Sequence, residues 1–149
     1  MLNKTPTLEN LKALSPQLAE KMPYLKMLVL FGSRATGHIH ENSDWDFAVL
    51  YDEEIRKKYI KDGWSCFEIP LIISQMFEIS SDKTDIVELT SCSWLIAHFI
   101  ARDGILLYEK DPGGFDYFRL TSIRSQSELK KFRLDQRQLI EMKLKEWKV

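Results

Sequence analysis

Apolar positions along this chain recur in two rhythms, and the rhythms alternate. Residues 8–22, LENLKALSPQLAEKM, place Leu8, Leu11, Leu14, Leu18 and Ala19 on one helical face. Pro16 either bends that helix or starts a second one capped by Ser15, and Pro23 closes the element. The run LKMLVLF, 25–31, reads as a buried strand that Gly32 breaks. WDFAVLY, 45–51, is a second strand, followed by a charged helix around 53–62 that ends near Gly63. Residues 66–80 hold a mostly buried helix beginning near Pro70, and TDIVEL, 84–89, alternates as a third strand. An apolar helix over 93–103 stops at Gly104, ILLYE, 105–109, is a fourth strand, and DPGG, 111–114, is a turn. Everything after that turn reads helical. Strands alternating with helices point to an α/β or α+β domain with a small sheet; the α+β form is expected, a small mixed sheet flanked by helices with a C-terminal helical tail.

At 149 residues the chain is long enough for one core, so a single domain is expected, with its core over about 8–111 and the tail over about 115–147. A composition of 44% hydrophobic and 29% charged residues excludes a disordered chain. No apolar run approaches the ~20 residues that cross a bilayer, and the first residues lack the apolar centre of a secretory signal. A cytoplasmic protein with no membrane partner is expected. Cys66 and Cys92 lack metal-ligand spacing and read as buried free thiols. A net charge of −1 argues against stable direct binding to nucleic acid. The charge is uneven: residues 1–118 carry 12 basic against 18 acidic side chains, and residues 119–149 carry 9 against 4. The body is therefore −6 and the tail +5.

The chemistry concentrates in LVLFGSRATGHIHENSDWDFAVLY, residues 28–51. Side chains two apart on a strand share a face, so Asp44 and Asp46 project together while Trp45 points the other way, towards packing. Paired carboxylates repel unless a cation lies between them, and hard oxygen ligands suit Mg²⁺ or Mn²⁺. Gly32 directly follows a strand, and its tight backbone can bring N–H groups up to an anion. Ser33 adds a hydroxyl at the start of a helix. A phosphate cradle beside a carboxylate pair is a site for a nucleoside triphosphate. Ser43 is a candidate brace for the carboxylate loop. His38 and His40 read as exposed loop histidines, and His98 as a hydrogen-bonded core histidine. In the tail, Leu129, Phe132, Leu139, Ile140, Leu144 and Trp147 share a helical face, which reads as a helix closing the core or as a docking surface.

Gly32-Ser33, ten residues, then Asp44-Trp45-Asp46 resembles the G-S-x10-D-x-D signature of the DNA-polymerase-β-like nucleotidyltransferase superfamily. With its flanks, the stretch looks most like the minimal nucleotidyltransferases, the MntA-type antitoxins of HEPN–MNT toxin–antitoxin pairs. The resemblance implies a third carboxylate on a neighbouring strand, and Asp85 in KTDIVEL fits, with Asp82 and Glu88 as competitors. It implies that Asp44, Asp46 and Asp85 hold two Mg²⁺ ions, replaceable by Mn²⁺, and that ATP is the substrate. Gly32, Ser33, Arg34 and Ser43 would serve the nucleotide. AMP would pass to a hydroxyl, a tyrosine of a partner HEPN ribonuclease toxin. The alternatives are an aminoglycoside-type small-molecule nucleotidyltransferase and an antitoxin that acts by binding alone. Many relatives read G-S-x-A-R-G. Here Thr36 occupies the Arg position, which leaves Arg34 as the candidate cation for phosphate.

Overall fold

Thr7 starts the first helix by a reciprocal exchange. Its Oγ1 accepts from the Asn10 N–H (3.2 Å), and Asn10 Oδ1 accepts from the Thr7 N–H (3.1 Å). The helix, α1, runs without interruption over Leu8–Lys21. Pro16 therefore lies inside one helix rather than starting a second. Ser15 is not a cap: it is buried, and its Oγ donates to the Leu11 carbonyl at 2.6 Å. Leu11 and Leu18, on either side of the proline, are both fully buried in one cluster, which holds the helix together across the missing N–H. Thr7→Ala is expected to cost about 1 kcal/mol of stability, seen as a lower urea midpoint with an unchanged slope.

The computed structural model describes residues 5–39, 43–59 and 68–147. After α1 come β1 (Leu25–Phe31), the single-turn α2 (Ser33–Thr36), β2 (Trp45–Tyr51) and α3 (Glu53–Tyr59). Then follow α4 (Glu68–Phe77), a 3₁₀ turn (Ser81–Lys83), β3 (Thr84–Glu88), α5 (Trp94–Asp103) and β4 (Ile105–Glu109). The chain continues as α6 (Gly114–Ser122) and α7 (Gln126–Trp147). The expected end of α3 near Gly63 lies outside the described residues, as does Cys66. In α4, Pro70 sits in the first turn, where its lack of an N–H is harmless.

The sheet is mixed, in the order β3-β2-β1-β4. β1 is antiparallel to β2 and β4, whereas β2 and β3 run parallel. β3 stops one residue earlier than its pattern suggests, yet the Leu89 N–H still donates to the Val49 carbonyl at 2.9 Å. Alternation along β2 divides the molecule. Trp45, Phe47, Val49 and Tyr51 join a cluster with Leu11, Leu18, Ile73 and Phe77 of α1 and α4. Ala48 faces the other way, into a cluster with Val29, Ile100 and Phe115. Both faces of the two central strands are therefore covered, which fixes their register.

The tail breaks where one unbroken helical reading would not place a break. Ile123 is extended, and the next N–H, that of Arg124, donates to Nδ1 of His98 at 2.9 Å. His98 is buried, as a hydrogen-bonded core histidine should be. In α7, Leu129 is buried and Phe132 meets Trp94 edge-on at 4.9 Å. Leu139, Ile140, Leu144 and Trp147, on the same stripe, are exposed. The terminal helix closes the core only through its first two turns. No helix among the described residues is long and apolar enough to cross a membrane.

Candidate active site

Phe31 of β1 pairs with Asp46 of β2, so the residue after Phe31 meets the Asp46 side chain. That residue is Gly32, with φ 75° and ψ −157°. A Cβ there would lie 3.1 Å from Asp46 Cγ and would collide with its Oδ2. Gly32 is thus required both by its backbone angles and by the carboxylate packed against it. Its carbonyl accepts from the N–H groups of Ala35 (3.1 Å) and Thr36 (3.2 Å), which closes the single turn of α2. The N–H groups of Ser33 and Arg34 begin that turn and have no intrahelical acceptor.

On its other side Asp46 is the direct register partner of Asp85 across the parallel β2–β3 pair. The two competitors for the third acid stand elsewhere. Glu88 pairs with Arg56 at 3.2 Å and lies opposite Val49, and Asp82 lies in the exposed 3₁₀ turn. Asp44 and Asp85 are exposed, and Asp46 is half-buried. Burial pushes the Asp46 carboxyl above the ordinary aspartate value of 3.8, and the neighbouring charges of Asp85 and Asp44 push it further the same way. Asp46 therefore feels both neighbouring acids.

Among the described residues, no three His, Cys, Asp or Glu side chains already converge as a metal cage. An all-carboxylate donor set suits a hard divalent cation. Mg²⁺ usually takes one or two protein carboxylates and completes its shell with water and substrate phosphate, not with a dedicated cage. A carboxylate such as Asp46, whose ionisation its neighbours oppose, is what such a cation relieves. The residues present fit it.

Ser43 is buried, and its carbonyl accepts from Arg34 Nε (3.3 Å) and Nη2 (2.9 Å). The Arg34 guanidinium also lies 4.1 Å from the centre of the Trp45 ring. Thr36 is exposed, and its Oγ1 lies 3.1 Å from His38 Nδ1. His38 is exposed, as expected of a loop histidine, and His40 lies outside the described residues. Cys92 is half-buried, with Sγ 3.6 Å from the Leu89 carbonyl. The platform that Trp45 offers Arg34 had no signal in hydrophobic periodicity, because its partner is eleven residues away on another element.

One end of the sheet sets the Gly32 turn against the Asp46 carboxylate, with Asp85 in register beside it, an arrangement that suits a nucleotidyltransferase. The chain belongs to the family described as Polymerase beta, Nucleotidyltransferase, whose model matches residues 14–113. Along its whole length it is similar to protein adenylyltransferase MntA of Aphanizomenon flos-aquae (strain 2012/KM1/D3), at 53% identity over 150 residues and 100% of both chains. Two solved structures share the fold. One is a toxin–antitoxin with AMP-PNP, at 21% identity and TM-score 0.60, covering 89% of this chain and 98% of that one. The other is a tri-AMPylated Shewanella oneidensis HEPN toxin in complex with MNT antitoxin, at 18% identity and TM-score 0.58, covering 93% and 99%.

Proposed function

We propose that this chain transfers AMP from ATP to a tyrosine hydroxyl of a partner HEPN ribonuclease toxin and thereby acts as its antitoxin in the cytoplasm. The observation that carries the reading is the pairing of Asp46 with Asp85 in register, with Gly32 packed against the Asp46 carboxylate. The 53% likeness to a protein adenylyltransferase over both full lengths supports a protein acceptor. A shared fold with MNT antitoxin complexes, one holding a tri-AMPylated HEPN toxin, supports the class of partner.

In this reading the first N–H groups of α2 and the Ser33 hydroxyl hold the triphosphate. Asp44, Asp46 and Asp85 would hold Mg²⁺, or Mn²⁺ in its place, and a cation there would supply charge neutralisation for the phosphates and the pyrophosphate. Asp85, exposed at the sheet edge, takes the acceptor proton. The acceptor oxygen bonds to the α-phosphorus, the bond to the bridging oxygen breaks, and pyrophosphate leaves. Positioning and charge supply most of the rate in such transfers, so few other side chains need react. The phosphodiester left on the toxin adds negative charge where RNA phosphates must approach.

Incubation with Mg²⁺, α-labelled ATP and the HEPN partner is expected to place label on the partner, to release pyrophosphate and to stop with EDTA. γ-Labelled ATP is expected to leave the partner unlabelled. Label on an aminoglycoside and never on protein would overturn the proposal.

A further inference from the structure

Asp44 precedes β2, so the sheet does not hold it. The β1 ladder reaches Asp46 and the β3 ladder reaches Trp45, and neither includes residue 44. Its position is set instead by the peptide that joins it to Ser43. The oxygen of that peptide is the one that accepts both bonds from Arg34, at 3.3 and 2.9 Å. The same guanidinium stacks on Trp45, the residue that follows Asp44. Arg34 thus grips the chain on both sides of Asp44.

It does so from the face opposite the acids. Trp45 belongs to the cluster beneath α1, and Arg34 borders a hollow of about 270 Å³ on that side, together with Thr7, Leu11, Leu30 and Trp45. Asp46, one residue on along β2, projects to the other face. A guanidinium committed to a carbonyl and a ring on the α1 face is poorly placed to bind triphosphate beside Asp46 and Asp85. Arg34 also sits next to Ser33 in α2, so one short turn ties the hydroxyl to the segment carrying the first acid.

We infer that Arg34 is a positioning residue: by fixing the Ser43–Asp44 peptide and clamping Trp45 it aims the Asp44 carboxylate at the metal site, and it does not serve as a phosphate ligand. The inference rests on the nucleotidyl-transfer reading above. Lysine keeps the charge but loses both the planar fork and the flat stack.

The test uses the full chain and Mn²⁺ alone, followed by electron paramagnetic resonance, with steady-state transfer measured beside it. Arg34→Lys is expected to weaken Mn²⁺ binding about tenfold and to lower kcat with little change in the KM for ATP. Arg34→Met keeps a stem against Trp45, removes both donors and is expected to show the same loss, which covers the case in which lysine is not tolerated. In an Asp44→Asn background, Arg34→Lys is expected to add nothing, because its effect passes through Asp44. Undiminished Mn²⁺ binding with a raised KM for ATP, or full additivity with Asp44→Asn, would mark a phosphate contact and overturn the inference. A parent chain that takes up no Mn²⁺ would overturn the nucleotidyl-transfer reading, and this inference with it.

Discussion

Asp46→Asn is expected to lower nucleotidyl transfer by about 10³-fold while leaving the protein at least as stable as the parent at neutral pH. The two halves of this expectation share one cause. Asp46 is half-buried, with Asp85 in register beside it and Asp44 close by, and its carboxyl is held above the ordinary 3.8 by burial and by those charges. A raised folded value means that the native state favours the protonated acid. The contribution of Asp46 to stability is therefore fully present below 3.8 and is lost as pH rises through the raised folded value. Above that window the ionised side chain opposes folding, and asparagine removes the opposition.

Thermal melts of parent and variant are expected to coincide near the acid end of the window and to separate as pH rises, the variant melting higher. Mn²⁺ uptake is expected to follow the opposite course in the parent, failing as pH falls through the same window, because protons compete with the cation. A variant that melts well below the parent at pH 7 would show that Asp46 is structural.

Gly32→Ala is expected to cost about 1–3 kcal/mol of stability and about 10²-fold in transfer. Two independent effects add. The backbone at φ 75°, ψ −157° is open to glycine almost alone, and the new methyl carbon would meet the Asp46 carboxylate head-on. Either Asp46 or the start of α2 must move, and both border the same site. Gly37 separates the two effects. It has φ 87° and nothing within 4 Å of an added Cβ, so Gly37→Ala is expected to cost about 1–2 kcal/mol of stability with transfer retained. Melting temperature and kcat, measured on both variants, check this. If Gly32→Ala kept kcat while losing stability, contact with Asp46 would not govern the chemistry.

The strands nearest the site were legible because breakers bound them. Gly32 ends β1, Gly104 precedes β4, and the run 45–51 has the length and aromatic content of a buried strand. Asp44 and Asp46 stood out as carboxylates where a buried strand begins. What local pattern could not carry was neighbourhood, and the choice of Asp85 came from the family resemblance alone. That Asp85, rather than Asp82 or Glu88, sits beside Asp46 depends on a parallel pairing made through a long crossover, and alternation within TDIVEL carries no trace of it. Arg34 was legible as a cation near the cradle, but not as one held on the α1 face, because a stack on Trp45 is a tertiary contact. Pro16 left open one helix or two. Burial of Leu11 and Leu18 in a common cluster decided it, and a local pattern cannot see that cluster. The stripe on α7 was visible in full, whereas its emergence from the core after Phe132 was not.

The parallel arrangement of β2 and β3 also sets when the three acids are brought together. A nascent chain halted before Thr84 already carries the serine turn and the first two acids, yet it lacks the strand that brings the last one alongside. Because that strand lies at the rim of the sheet, fraying there is expected to part Asp85 from Asp46 while the central strands stay paired.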